Sequence, residues 1–358
     1  VMQTASSLGL TRESSLIKHF DRIRFRHAFP TTADQPRPNP IALSLATYGE
    51  SVTDLAFTKV PSVLKFNQEH LPPSFQPDWK GKTWQAVSGT LGLARPAREL
   101  RVRTAIDSEK GKAQMIGNDG QLFAWEIIHP CNSKGEELVW KTAIDLPPDL
   151  DEHTLAALEK DLARVLSQLG FLSKTKATAS VTLNDHSEEN TPEIPAQGPL
   201  ALRLVTPTLL ADPRLQELDG CPTSGHIREE HLHKLYAQIW HELSGGALKL
   251  SHYYASQSLQ GGHYLHRRFQ KGKPYNPWLL TDPGSVFVFE TSAEAKPFLT
   301  EWLSSGLPIP SAIASHFGDD WKTNPFIPAN GFGEIALHQT RLEFTLPKGA
   351  QLIPINRV

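Results

Sequence analysis

Between Asp151 and Gly170 the apolar positions recur at helical spacing: Leu155, Leu158, Leu162, Val165, Leu166 and Leu169 fall on one stripe, and Gly170 follows them. The pattern predicts an amphipathic helix closed by a glycine. Upstream the period shortens. Leu100, Val102, Thr104 and Ile106 alternate with Arg101 and Arg103, and β-rich runs follow over Leu122–Ile128 and Leu138–Ile144. These predict strands, and the β-branched run Ala177–Leu183 predicts another beyond the helix. The first half therefore reads strand, strand, strand, helix, strand, which is α+β grammar. Before Leu100 the chain is proline-rich, with a strand expected over Arg22–Ala28 and a long insertion over Pro61–Gly92.

The segment Asn184–Gly198 carries almost no apolar residue and two prolines, the composition of a linker. It divides the chain into residues 1–183 and 199–358. In the second part Leu200–Val205 predicts a strand, and Leu232, Leu235, Tyr236, Ile239 and Leu243 a helix ending at Gly245-Gly246. Strands over Ala247–Tyr254 and Ser285–Glu290, a helix over Ser292–Ser304 and a last strand over Gly333–His338 complete the order β-α-β-β-α-β. That order is ferredoxin-like. With a similar ending in the first half, the expected architecture is α+β: tandem ferredoxin-like, RRM-like domains with insertions.

Composition removes several classes. The chain has 358 residues, 39% hydrophobic and 21% charged, so a sizeable core can be buried and a disordered chain is excluded. No apolar run approaches the roughly 18 residues of a membrane helix, and no export signal is visible, so no membrane partner and a cytoplasmic location are expected. The chain opens at Val1 with Met2 second, which leaves room for an upstream segment. Cys131 and Cys221 lie far apart and form no CxxC or Cys/His ligand spacing, so neither a disulfide scaffold nor a structural zinc site is expected. No metal or other cofactor is expected. The formal charge of −2 does not exclude a nucleic-acid partner, because phosphate is bound by a local basic surface.

Such a surface is suggested by Lys249–Lys273. It carries Lys249, Arg267, Arg268, Lys271 and Lys273 without one carboxylate, interleaved with His252, Tyr253, Tyr254, His263, Tyr264, His266 and Phe269. Cations neutralise phosphates while flat rings stack bases, the combination a single-stranded RNA groove needs. Five phosphate contacts predict an affinity falling with log salt at a slope of roughly −3.5. Gly261-Gly262 permits close backbone approach. The competing reading is a solvated loop whose tyrosines pack on the sheet. Two further clusters, Arg95/Arg98/Arg101/Arg103 and Arg22/Arg24/Arg26/His27, read equally as phosphate contacts or as the wet face of a strand. Asn330-Gly331-Phe332-Gly333-Glu334 is a glycine-flanked turn leading into the last strand; without Gly-Lys-Ser/Thr it is no P-loop.

No catalytic residue is assigned. His226, His231, His233 and His241 gather near one helix without an HExxH spacing, and no GxSxG is present. His252, His263 and His266 have the chemistry to take a 2′-hydroxyl proton. Asp107, Asp145 and Asp282 stand at loop edges where a metal-assisted cut would want acids, although turn and capping roles serve equally.

Several motifs resemble the RAMP superfamily of CRISPR proteins. Gly331-Phe332-Gly333 looks like that family's glycine-rich loop before the final strand, and Pro283-Gly284-Ser285-Val286-Phe287 like its Gly-Ser-Val-Phe strand opening. Arg103-Thr104-Ala105-Ile106-Asp107, then Gly111 and Gln121-Leu122-Phe123-Ala124-Trp125-Glu126, is similar to a run in the family's first domain. Ala28-Phe29-Pro30 with Pro40-Ile41-Ala42-Leu43-Ser44 is similar to members that cap the crRNA in type III complexes, the III-D subgroup above all. The first domain departs from the pattern, with Phe171-Leu172-Ser173-Lys174-Thr175-Lys176 where a glycine-rich loop is expected and no visible opening strand. The resemblance implies a noncatalytic subunit of a prokaryotic type III effector ribonucleoprotein acting in antiviral defence. Its partners would be the single-stranded 5′ tag of the crRNA, a large polymerase-like subunit and backbone RAMP subunits, with target RNA touched only indirectly. On that reading Lys249–Lys273 and Asn330, Gly331, Phe332 and Gly333 grip the tag. The rivals are a RAMP endoribonuclease and a protein–protein scaffold without RNA contact.

Overall fold

The alternation and stripes of the second half build one antiparallel sheet. The computed structural model describes residues 9–48, 51–58, 62–66, 94–104, 106–107, 112–113, 115–116, 119–120, 122–172, 177–184, 194–195, 198–215, 229–339 and 350–354. In the second half β1 (Gly198–Leu204) precedes α1 (Glu229–Leu243), β2 (Leu248–Tyr254) and β3 (Val286–Thr291). Then come α2 (Ala295–Ser305) and β4 (Ile335–Leu337). The strands lie in the order β2-β3-β1-β4, every neighbour antiparallel, which is the order strand-helix-strand-strand-helix-strand demands.

Side chains alternate across this sheet, so its two faces have different covers. On one, Leu202, Leu204, Phe287 and Phe289 meet Tyr236, Ile239 and Trp240 of α1 and Leu299 and Trp302 of α2 in the largest core cluster. Trp240 stands 5.2 Å from the Phe287 ring and 5.0 Å from that of Phe289. On the other face Ala201, Val286 and Val288 are covered by Ile41, Ala42, Leu45 and Ala56 from the first half. Leu43 N–H donates to the Gly284 carbonyl at 2.8 Å, stitching that cover to the turn before β3. The sheet is therefore the middle of three layers.

Two insertions share another core. Between β2 and β3 the strands Gln257–Gln260 and Trp278–Thr281 pair as a hairpin around the short helix His263–Phe269. Between α2 and β4 lies the helix Ser311–Phe317. Leu209, Trp278, Leu280, Ile313, Phe317 and Phe326 bury together beneath them, with Leu265, Phe269 and Phe332 packed alongside.

In the first half the amphipathic stripe forms the helix Glu152–Leu166. Asp151 caps it by accepting the Thr154 N–H at 2.9 Å, an interaction worth about 1 kcal/mol. Leu158, Leu162, Val165 and Leu166 bury against Leu16 and Ile23. Every described strand of this half belongs to a two-stranded pair. Arg24–Phe25 pairs with Ile144–Asp145, and Phe29–Thr31 with Val139–Lys141. Ser62–Phe66, inside the expected insertion, pairs with Ala350–Pro354 near the far end of the chain. The predicted alternation over Leu100–Ile106 becomes the strand Pro96–Thr104, paired with Leu122–Asn132 as a long ribbon. Leu100 and Val102 are 69% and 61% exposed on it, because no third layer covers them among the described residues. The strand expected over Ala177–Leu183 shortens to Ala177–Thr178. The protein is α+β; Gly111, Gln121, Cys221, His226, residues 173–176 and most of the expected 184–198 linker lie outside the described residues.

Candidate nucleic-acid interface

The basic run separates into two environments. Its first residues belong to β2, at the sheet edge. Lys249 is exposed and sits 3.9 Å from the Glu290 carboxylate on β3. A bulge between Leu250 and His252 then changes which residues face the helices. Tyr253 turns inward and packs on Tyr236 at 4.9 Å and Phe287 at 6.0 Å. His252 is buried, with Nδ1 3.1 Å from the Ser251 hydroxyl, and Tyr254 donates its hydroxyl hydrogen to the Leu55 carbonyl at 3.1 Å. These rings serve the packing of β2.

The remainder forms the exposed insert. Helix His263–Phe269 starts after Gly262, whose φ of +118° a side chain would resist, and it buries Leu265 and Phe269 partly against the insertion core. The opposite surface presents His263, Tyr264, Arg267 and Arg268, and the turn beyond adds Lys271 and Lys273, all exposed. Arg268 donates to the Tyr264 hydroxyl at 3.0 Å, one helical turn away. His266 bonds the Lys273 carbonyl at 2.9 Å and meets the Tyr275 ring edge-on at 5.6 Å, which fixes the turn against the helix. Among the described residues no carboxylate lies within ion-pair distance of Arg267, Arg268, Lys271 or Lys273. Tyr264 and Tyr275 are 67% and 58% exposed and Leu259 62%. Tyr275 and Leu259 were not among the sequence candidates; Tyr275 lies beyond the last cation of the run, and only the hairpin brings it back.

The glycine turn is occupied by the protein itself. Gly331 has φ +84° and Gly333 φ +73°, and both are buried. A Cβ on Gly331 would stand 2.5 Å from the Phe25 carbonyl oxygen and 2.9 Å from the His27 ring. That ring meets Phe332 edge-on at 4.6 Å. The turn's N–H groups are used internally: Gly331 donates to Pro328, Phe332 to Ile327, Gly333 to Pro207, and Glu334 to the Thr206 hydroxyl. Asn330 remains exposed, its side chain donating to the Pro325 carbonyl at 2.9 Å. The turn and the insert thus do not present one continuous set of donors.

What the turn offers instead is Glu334, 3% exposed and ringed by arginines. Arg37 donates to it through both Nη atoms, at 2.7 and 2.8 Å, and Arg26 at 3.2 Å. Arg26 also grips Asp145 with a bidentate pair of bonds, at 2.8 Å for both Nε to Oδ2 and Nη2 to Oδ1. Arg24, 6% exposed, donates to the Ser304 carbonyl at 2.8 Å and the Pro328 carbonyl at 3.2 Å. Burial lowers the Arg24 pKa against the opposing pull of Asp145 and Glu334, and burial likewise lowers that of His27. The cluster Arg22/Arg24/Arg26/His27 is therefore a dock for the turn; Arg22 pairs with Asp149 outside it. The arginines of the ribbon are partly spent as well, Arg98 on Glu126 at 3.1 Å and Arg101 on Glu99 at 2.7 Å.

A second buried polar group clips the sheet cover in place. Asp54 accepts the Ser44 hydroxyl at 2.7 Å, lies 2.8 Å from His338 Nε2, and accepts the Ala56 N–H at 3.1 Å. Ser44 also approaches His338 at the same Nε2 atom, 3.4 Å away, so the three residues form a knot and no proton relay. Arg203, its pKa pushed down to about 10 by burial, adds a positive charge facing Asp54. Burial raises the Asp54 carboxyl, but the bonds from His338, Ser44 and Ala56 outweigh it and leave the pKa lowered. A lowered carboxylate contributes stability that is present above the ordinary aspartate value of about 3.9 and lost as pH falls through the folded value. Acid unfolding followed by tryptophan fluorescence should therefore show a steep limb below about pH 4, flattened in Asp54→Asn. An unchanged limb would mean the knot does not govern acid stability.

A similar fold is found among solved structures. It is the crystal structure of the Csm3–Csm4 subcomplex in the type III-A CRISPR-Cas interference complex, at 11% identity and a TM-score of 0.35, over 81% of this chain and 85% of that one. No family model and no curated protein matches the chain.

Several of the candidate acids and histidines hold structural contacts, whereas His263 stays exposed on the insert. Asp282 accepts the hydroxyls of Ser256 and Ser258 at 2.8 and 2.6 Å, which ties the base of the hairpin. Asp145 is the partner of Arg26, and His233 bonds the Ser251 carbonyl at 3.2 Å. Among the described residues no group of three His, Cys, Asp or Glu side chains is arranged to hold a metal ion. No helix among the described residues is long and apolar enough to cross a membrane. Chemically, the insert offers cations beside flat rings on a rigid base, which suits a flexible polyanion carrying π-faces.

Proposed function

We propose that the chain is a noncatalytic RNA-binding subunit of a type III CRISPR effector complex, gripping the 5′ repeat-derived tag of the guide RNA through the insert His263–Tyr275 and capping the backbone filament. The observation that carries this reading is the exposed surface of Tyr264, Arg267, Arg268, Lys271, Lys273 and Tyr275, without a described carboxylate partner. The RAMP-like motifs at Gly284–Phe287 and Gly331–Gly333 support the family. The β2-β3-β1-β4 order supports a ferredoxin-like domain over 199–358, and a second such domain over 1–183 belongs to the same proposal. The implied partners are a large polymerase-like subunit and backbone RAMP subunits in a prokaryotic cytoplasm. A binding role without cleavage fits Asp282 and His266, whose hydrogen bonds hold the insert together.

The test is purification from a cell carrying the native neighbouring genes, with sequencing of bound RNA and identification of bound proteins. RNA sharing one repeat-derived 5′ end, together with CRISPR subunits, is the expected result; scattered ends without such partners overturn it. Shortened RNA that regains full length in His263→Ala would replace binding by cleavage. With Lys249 beside Glu290, four cations remain for phosphate, so the affinity of the purified chain for single-stranded RNA should fall with log salt at a slope of roughly −2.8. Arg267→Ala/Arg268→Ala should reduce the slope by roughly 1.4. A slope near zero in the unaltered protein would remove the insert as the grip.

A further inference from the structure

The loop after helix Ser311–Phe317 presents a half-exposed aromatic ring. Trp321 is 54% exposed, whereas Trp240, Trp278 and Trp302 are buried. Its backbone is tightly held. Gly318 turns the chain at φ +86°, and the Asp320 carboxylate accepts the Lys322 N–H at 2.6 Å while its carbonyl accepts Thr323 and Asn324. Asn324, fully buried, donates to the Gly318 carbonyl at 3.0 Å and accepts the Phe326 N–H at 3.0 Å. A loop fixed by this many bonds holds its exposed ring at little further entropic cost on binding.

The ring has a cation beside it and a short chain path back to the insert. The Lys322 ammonium lies 5.7 Å from its centroid. Phe317 stacks at a tilt on Trp278, 5.4 Å away, and His316 bonds the Asn276 side chain at 3.0 Å, next to Tyr275. Trp321 follows His316 by a span that extended chain bounds at about 18 Å. The acids beside it are Asp319, which is exposed, and Asp320, whose carboxylate is engaged in the turn. We propose that Trp321 is a base-stacking subsite that extends the insert's surface, taking an unpaired base of a single-stranded RNA whose phosphates lie along Arg267, Arg268, Lys271 and Lys273. The inference rests on the RNA-binding reading above and names a contact that reading does not contain.

The test is the full chain titrated with a fluorescein-labelled oligouridylate of about 12 nucleotides, within the span single-strand folds cover. Trp321→Ala should weaken binding about 5- to 150-fold, the usual effect of losing one stacked base. Its salt slope should not change, since no charge is removed. Trp321→Phe should recover most of the affinity and Trp321→Leu should not, which separates stacking from plain apolar contact. All three should melt like the unaltered protein. Unchanged affinity in Trp321→Ala, with Arg267→Ala/Arg268→Ala still lowering the slope, overturns the subsite and leaves the grip standing; a protein surface would then be the better use of the ring. No binding by the unaltered chain overturns both.

Discussion

Glu334→Ala is expected to destabilise the protein by about 3–5 kcal/mol, the usual result of removing one partner from a buried ion pair. The carboxylate is 3% exposed and takes both Nη atoms of Arg37 and one of Arg26. Arg26 keeps Asp145 after the change, but Arg37 retains only the His27 carbonyl and a position 4.7 Å from the Phe29 ring. Its charge then stays in a half-dry site without a counter-ion. Glu334→Gln should lose less, because the amide oxygen still accepts. The decisive comparison is Glu334→Gln with Arg37→Met, where both charges leave together. Denaturant titration should find that double variant more stable than Glu334→Ala. Equal stability in Glu334→Ala and the unaltered protein would show the arginine cluster to be surface decoration.

Gly284→Ala is the second large effect, expected at about 2–5 kcal/mol from overpacking and backbone strain together. Gly284 sits at φ +86° in the turn before β3, and an added Cβ would press on the Ile41 carbonyl oxygen. Neither a flexible side chain nor a rotamer change relieves a backbone contact. The cover Ile41–Ala56 must lift, breaking the bond from Leu43 N–H to Gly284 and uncovering Ala201, Val286 and Val288. Hydrogen exchange should therefore quicken at Leu43, Leu55 and Ala56 before it quickens in α1. Unaltered exchange at those amides would contradict the fixed cover.

The two glycine motifs show what the sequence could and could not tell. That Gly284, Gly331 and Gly333 mark close approach was readable, since positive φ and tight turns select glycine. What approaches was not: Ile41 and Phe25–His27 lie hundreds of residues away, and nothing in the local composition names them. The α1 stripe and strands β1 to β4 were legible because each buries one face in regular period. Helix His263–Phe269 was not, having barely two turns and burying only Leu265 and Phe269 in part. Its hairpin was not legible either, since no two-residue turn joins Gln257–Gln260 to Trp278–Thr281. The bulge after Leu250 carried Tyr253 into the core while the plain alternation left its side undecided.

The pairing of Ser62–Phe66 with Ala350–Pro354 has a consequence during synthesis. Phe66 leaves the ribosome long before Ala350 exists, and at about 5–20 residues per second the wait is roughly 15–60 s. Over most of that interval the cover Ile41–Ala56 also has no sheet to lie on, because β3 is not yet made. The early strands meet water with open edges and bare apolar faces, the condition that invites wrong partners. A nascent chain of this kind should depend on ribosome-associated holding far more than its finished stability would suggest.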